Sequence, residues 1–282
     1  MMTDIAEARE KQEHLKEIIR SYGSLAVAFS GGVDSTYLLK TAHDVLNDKC
    51  AAITARSESF PGREYRESAQ FCSSWGIRQI AFESGEIETP GYAQNPVNRC
   101  YLCKHSLFTS LLRIAGENGL EYVAEGSNMD DNGDFRPGLM AVAELGIKSP
   151  LREAGLYKEE IRLLSKELGL PTWDKPSYAC LASRFVYGEQ ITKEKLSMVD
   201  RAEELLINMG FKQVRVRIHD KIARIEVTKD DFGRFADDEL RDRIYGELKG
   251  YGFSYVTLDL KGYRTGSMNE TLSEEERLFA LR

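Results

Sequence analysis

Short apolar runs alternate along the first half of the chain with stretches of helical periodicity. Residues 25–29 form a compact apolar run just before a glycine pair, the signature of a buried strand. Apolar positions at helical spacing follow over 36–46. The same alternation predicts strands at 50–54, 78–82 and 122–125, and helices at 62–75, 104–118 and 157–168. A Pro/Gly/Asn-rich loop is expected at 89–99 and a Gly/Asp-rich loop at 126–138. The charged N-terminal stretch also reads as a helix. Strands that alternate with helices imply an α/β layer fold with a mostly parallel sheet.

The pattern changes after residue 170. Residues 171–187 carry two prolines and little periodicity, which predicts a linker. Beyond it, 193–209 is amphipathic with helical period. Residues 212–218 alternate strictly, with Val214, Val216 and Ile218 on one side and Arg215, Arg217 and His219 on the other. Asp220 and Lys221 can turn the chain, and 222–227 alternates again with Arg224 and Glu226 on the polar side. This predicts a hairpin with one solvent face. A helix over 231–249 and a strand over 254–258 complete a second, smaller α+β domain. The expected division is 1–175 for the first, α/β domain, 176–190 for a linker, and 191–282 for the small α+β domain.

Composition narrows the functional classes. A chain of 282 residues is long enough for two domains with real cores. The longest clean apolar runs are about five residues, against the roughly 20 that a membrane helix needs. The N-terminus has no apolar core of a signal peptide, so a cytoplasmic protein with no membrane partner is expected. Net charge is −7, with −1 of it after residue 190 and −6 before. Neither part is basic, so a nucleic acid is a disfavoured partner and a small substrate is favoured. Five cysteines, an odd number, argue against a disulfide framework. Cys50 and Cys72 lie in apolar, strand-like and helix-like contexts and read as buried small hydrophobes.

The string Ser30-Gly31-Gly32-Val33-Asp34-Ser35 joins a predicted strand to a predicted helix. Two glycines permit a tight turn and close approach to a ligand. The amides that open the helix, with its dipole, suit an anion. Ser30, Ser35 and Thr36 add hydroxyls, and Asp34 beside a phosphate makes sense as a Mg²⁺ ligand. The string resembles the signature of the PP-loop ATP pyrophosphatases, which adenylate an oxygen of their substrate and release pyrophosphate. No Gly-Lys-Ser/Thr of a Walker loop is present, so cleavage to ADP is not expected. The resemblance implies a doubly wound sheet with ligands at the carboxyl ends of its strands. There the loop would face Gly126-Ser127-Asn128-Met129-Asp130-Asp131, and Ala55-Arg56-Ser57 would border the adenine.

Cys100-Tyr101-Leu102-Cys103 is expected just before a helix, and Cys180 in the linker. Three thiolates suit an iron–sulfur cluster with one open iron. Zinc with a non-cysteine fourth ligand, or three unrelated cysteines, are the alternatives.

The strings NRCYLCK, DFRPGLMAVAELGIKSPL, KPSYACLASRFVYG, VRVRIHDKIARIEV and YVTLDLKGYRTGSMN resemble one branch of that superfamily, the LarE family, over essentially the whole chain. These are ATP-dependent sulfur transferases of nickel-pincer nucleotide biosynthesis. The resemblance implies adenylation of the carboxylates of pyridinium-3,5-biscarboxylic acid mononucleotide and their conversion to thiocarboxylates. It implies ATP, Mg²⁺ on Asp34, and a [4Fe–4S] cluster on Cys100, Cys103 and Cys180. Some members instead sacrifice a linker cysteine, and the resemblance puts that position at Ala179 or Cys180. Arg184, Arg215, Arg217 and Arg264 are candidates for the substrate's anionic groups, since arginine binds planar anions bidentately. Ion pairing, such as Arg217 with Glu226, is the alternative for the strand arginines. The resemblance also suggests a homo-oligomer, and contact with other proteins that build the same cofactor. Competing readings are a tRNA thiolation enzyme, a nucleotide-binding regulator and an amide-forming ligase.

Overall fold

A parallel strand buried on both faces must be apolar at every position, and Leu-Ala-Val-Ala at the predicted first strand meets that demand. The structure, a computed structural model, describes residues 5–132, 137–176, 179–264 and 266–279, with residues 277–279 described by backbone alone. The chain forms two compact units. One comprises Met1–Ser57, Arg63–Gly85 and Cys100–Tyr178; the other comprises Glu58–Gly62, Glu86–Arg99 and Ala179–Arg282.

In the first unit the order is α1 (Ile5–Tyr22), β1 (Leu25–Ala28), α2 (Val33–Leu46), β2 (Cys50–Arg56), α3 (Gly62–Ser74), β3 (Gln79–Glu83), α4 (Arg99–Glu117), β4 (Tyr122–Ala124), α5 (Gly138–Glu144), α6 (Pro150–Glu153) and α7 (Lys158–Glu167). The strands form one sheet in the order β3-β2-β1-β4. All pairs are parallel, with Leu25 opposite Cys50 and Tyr122. Side chains alternate between two cores. Leu25, Val27, Cys50 and Ala52 pack with residues of α1, α2, α3 and α7, such as Leu15, Leu38, Phe71 and Leu164. Ala26, Ala51, Ile53 and Val123 pack with Phe108, Leu111 and Val142 of α4 and α5. Helices on both faces of a parallel sheet make the doubly wound α/β architecture. Strand order reverses between β1 and β4, where such sheets open a crevice at the carboxyl ends.

Two elements of this unit depart from expectation. The helix expected at 104 begins at Arg99, because Arg99 N–H already donates to the Pro96 carbonyl at 2.9 Å and no glycine or proline interrupts 99–103. Cys100 and Cys103 therefore lie on its first turn rather than before it. The expected loop after β4 contains a 3₁₀ turn at Met129–Asp131, with α5 and α6 following before α7.

The second unit contains α8 (Lys193–Asn208), β5 (Val214–His219), β6 (Ile222–Val227), α9 (Asp238–Gly250), β7 (Tyr255–Leu258) and α10 (Glu274–Phe279). Its sheet runs β5-β6-β7, with β5 and β6 antiparallel and β6 and β7 parallel. Asp220, at φ 52°, turns the hairpin. The helix expected over 231–249 is broken: a 3₁₀ segment, Lys229–Ala236, precedes α9, which Asp237 caps by accepting from Glu239 and Leu240 N–H groups at 2.9 and 3.3 Å.

Two expectations for this unit are overturned. The hairpin's polar face is largely covered: Arg215, Arg217 and Glu226 are buried, while His219 and Arg224 stay partly exposed. That face is covered by the turn Leu181–Arg184, whose Ser183 carbonyl accepts from Arg217 at 2.8 Å, and by Ser267, 3.0 Å from the same guanidinium. Residues 181–185 are consequently core rather than linker. Leu181, Ala182, Arg184 and Phe185 are all buried, and Phe185 bridges to Ile218 at the edge of β5. Among the described residues no helix is long and apolar enough to cross a membrane.

Candidate functional site

The phosphate-loop string lies where the crevice argument requires, between the end of β1 and the start of α2. Gly31 has φ +70°, a conformation that side chains resist. Ser30 and Ser35 hydroxyls lie 3.1 Å apart, and Ser35 donates to the Gly32 carbonyl at 3.3 Å. These contacts close the loop across the first turn of α2. Thr36 is buried, and its hydroxyl oxygen has no partner among the described residues. Gly126, just beyond β4, approaches the same turn. A Cβ there would sit 3.1 Å from the Ser35 nitrogen and 3.2 Å from the Asp34 Cβ, so any other residue would push this turn back by a few tenths of an ångström. Ser57 follows the last residue of β2 and lies at the same carboxyl edge of the sheet.

The loop beyond β4 is organised by its own polar side chains. Glu125, buried, accepts from Ser127 and Ser149 hydroxyls at 2.7 Å each. Asn128 and Asp131 form a capping box around the 3₁₀ turn. Asn128 Nδ2 then reaches Asp34 Oδ1 at 3.2 Å, and Lys158 Nζ pairs with Asp34 Oδ2. Lys158 opens α7, and its backbone N–H is fixed by Asp130 at 2.7 Å. The structure thus gathers Asp34, Asn128, Lys158 and Gly126 around the helix terminus. Lys158 was not a sequence candidate: nothing in its local spacing distinguishes it from an exposed residue in the first turn of an amphipathic helix. Asp34 offers the hard carboxylate oxygen that Mg²⁺ takes, and Lys158 adds a cation beside the anion-favouring helix start.

The three candidate cysteines divide between the units. Cys100, exposed, and Cys103, partly buried, are one turn apart on α4 and so share a helix face. That placement suits two thiolate ligands of one cluster. Cys180 belongs to the other unit and precedes the turn Leu181–Arg184. Among the described residues no three His, Cys, Asp or Glu side chains are gathered as a metal centre requires. Three thiols are donors of the kind that an iron–sulfur cluster takes. Residue Cys180 is exposed as a whole, yet its thiol faces Ser59. Desolvation pushes that thiol up, Glu86 adds to the rise, and Arg99 and the Ser59 hydroxyl oppose it. Cys50 and Cys72 are buried in the first core, and burial pushes each thiol up to about 12. They are inert small hydrophobes, as expected.

The arginines form a cluster within the second unit. Arg184, fully buried, makes two parallel bonds to Glu203 at 2.8 Å each. Burial works to raise the Glu203 carboxyl, but the Arg184 guanidinium overrides it and holds Glu203 below its ordinary value. Arg217 donates twice to Glu226, at 3.1 and 3.0 Å. Arg215 stacks near the Tyr263 ring, 5.2 Å from its centroid. Burial first, then the nearby Arg184 charge, lower the Arg215 pKa. Arg264 is outside this cluster of buried groups and pairs with Glu270 at 3.0 Å. The cross-strand pair of Arg217 with Glu226 is therefore present, and Arg184 is likewise already paired, with Glu203. Residues 134–136, 177–178 and Thr265, which belong to the motif strings, lie outside the described residues.

No family model matches the chain. It is 44% identical over 265 residues to an uncharacterized protein of Synechocystis sp., covering 94% of this chain and 98% of that one. It is 37% identical over 267 residues to the pyridinium-3,5-bisthiocarboxylic acid mononucleotide synthase of Lactiplantibacillus plantarum, covering 94% and 96%. A more distant likeness, 28% identity over 209 residues, links it to a glutamine-hydrolyzing GMP synthase of Aeropyrum pernix, covering 65% of this chain and 39% of the synthase.

Proposed function

Because the chain belongs to the LarE family, that of the pyridinium-3,5-bisthiocarboxylic acid mononucleotide synthase, we propose that it is an ATP-dependent sulfur transferase acting on a pyridinium dicarboxylate mononucleotide. The observation that carries this reading is the gathering of Asp34, Asn128 and Lys158 at the start of α2, behind the glycine-rich loop. A carboxylate beside an ammonium at a helix N-terminus suits a metal-chelated triphosphate.

The chemistry needs two displacements. A substrate carboxylate oxygen attacks the α-phosphorus of ATP, and pyrophosphate leaves. A sulfur nucleophile then attacks the acyl carbon, and AMP leaves with the bonding electron pair, giving a thiocarboxylate. The cycle repeats on the second carboxylate. The 30–35 loop and Lys158 hold the phosphates through the first step. Asp34 would hold Mg²⁺, whose charge offsets that of the triphosphate. Arg184, Arg215, Arg217 and Arg264 are proposed to hold the substrate's phosphate and waiting carboxylate. A guanidinium paired with one carboxylate retains donors for a second anion.

Cys100, Cys103 and Cys180 are proposed ligands of a [4Fe–4S] cluster, which when bound would supply a replaceable hydrosulfide. The rival donor is Cys180 itself, consumed in one turnover. A homo-oligomer is part of the same reading, to be read by light scattering.

One anaerobic experiment tests the set: protein reconstituted with iron and sulfide, Mg-ATP and the pyridinium nucleotide, with tRNA as a competing acceptor. Expected are AMP, pyrophosphate and sulfur in the small nucleotide, over several turnovers at unchanged protein mass. ADP formation, or sulfur in tRNA alone, would refute the assignment. Loss of hydrogen sulfide mass at Cys180 without bound iron would move the donor from cluster to cysteine.

A further inference from the structure

The peptide between Gly31 and Gly32 has glycine on both sides, so few steric barriers keep it from flipping. A flip would exchange an N–H donor for a carbonyl acceptor on the side that faces an anion. Something must hold it, and the bonds within the loop do not: the Ser30 and Ser35 hydroxyls bond to each other, and the Ser35 hydroxyl and the Thr36 backbone N–H donate to the Gly32 carbonyl. The Gly31 carbonyl is held by a residue remote in sequence. Lys175 Nζ donates to it at 3.0 Å. The other two protons of the ammonium go to Glu64 at 2.7 Å and Glu67 at 2.6 Å. Three donors meet three acceptors, so the ammonium has one orientation. Glu64 and Glu67 are one turn apart on α3 and present their carboxylates on one face. Glu64 is buried, which anchors the arrangement in the first unit.

We propose that Lys175 is a positioning residue for the phosphate loop. By binding the Gly31 carbonyl it fixes the plane of the Gly31–Gly32 peptide. Because that unit is planar and trans, the Gly32 N–H points away from Lys175. The loop thereby keeps its donor arrangement before any ligand arrives. Lys175 makes no contact with the nucleotide in this role; it acts through the peptide, and Glu64 and Glu67 act through Lys175. The inference rests on the reading that the 30–35 loop binds the phosphates of ATP.

The competing explanation is a purely structural ion pair between Lys175 and α3. Two full-length variants separate the two, Lys175→Met and the double variant Lys175→Met with Glu64→Gln. The single variant leaves the buried Glu64 carboxylate with only Arg63, 3.4 Å away, as a cationic partner, whereas the double variant removes that charge. ATP and adenosine affinities are measured by calorimetry, with melting temperature in parallel. Expected is a rise in the ATP dissociation constant of about tenfold or more in both variants, the loss of one charge-assisted hydrogen bond. Adenosine affinity stays unchanged, and the double variant recovers melting temperature without recovering ATP affinity. ATP affinity that returns together with stability in the double variant would overturn the proposal, as would an equal loss for adenosine. A parent protein that binds adenosine but gains nothing from the phosphates would overturn the reading of the loop itself, and this inference with it.

Discussion

Two sets of ion pairs sit in the two units, and they differ in how far they are from water. In the phosphate-loop region the side chains of Asp34 and Lys158 are 21% and 32% exposed. In the second unit those of Arg184 and Glu203 are 0% and 6% exposed. A part-exposed pair costs little to separate, since water and ions take over each charge. A buried pair is costly to break from one side, because the remaining charge has nowhere to go. The first arrangement suits ligand exchange: a metal can take Asp34 and a phosphate can take Lys158. The second suits rigidity, with three guanidinium groups kept near one another by Glu203 and Glu226. Burial first, and then the neighbouring Arg184 charge, lower the Arg215 pKa, and an added anion would favour its charged form.

The contrast predicts opposite responses to substitution. The largest effect is expected at Glu203. Replacing it with glutamine leaves Arg184 buried without its counter-charge, and stability should fall by about 3–5 kcal/mol. Chemical unfolding followed by a probe in the second unit measures this, and a loss below about 1 kcal/mol would place the buried pair in the same class as the exposed one. Next comes Asp34→Asn, which should slow ATP cleavage about a hundredfold or more with stability within about 1 kcal/mol of the parent. Full activity would remove Asp34 from the metal role. Lys158→Met should weaken ATP binding by about ten- to a hundredfold, the equivalent of one charge-assisted hydrogen bond, again at little cost in stability. Unaltered ATP affinity would leave Lys158 as a partner of Asp34 and nothing more.

The smallest effect sharpens the comparison by pH. Glu203 is held below its ordinary value of 4.5 by Arg184, against the opposing effect of burial. A depressed carboxyl contributes stability that is complete above the unfolded value and is lost as pH falls through the folded one. Unfolding midpoints measured from about pH 6 down to about pH 3 should show that loss in the parent and a shallower dependence in Glu203→Gln. Identical slopes would exclude this pair as the source.

The phosphate loop was legible because its signal is local. Ser30, Gly31, Gly32, Asp34 and Ser35 are contiguous, and an apolar run before them and helical spacing after them fix their setting. Lys158 and Lys175 were not legible, since each reaches the loop from 124 and 144 residues away and carries no local mark. The start of α4 was misplaced for a different reason. Arg99 to Cys103 has no strong helix breaker and no apolar stripe, so packing and the turn after Pro96 set the boundary.

By itself the sequence determined the alternation of strand and helix, the glycine-rich loop between a buried strand and a helix, and the burial of Cys50 and Cys72. Each follows from period, composition or steric need within a few residues. Only the tertiary structure decided that Arg215 and Arg217 are interior. Alternation along a strand separates two faces but cannot say what covers each one, and here a turn that reads as linker supplies the cover. The same holds for Lys175 on Gly31 and Lys158 on Asp34: a contact between remote residues depends on the three-dimensional path of the chain between them.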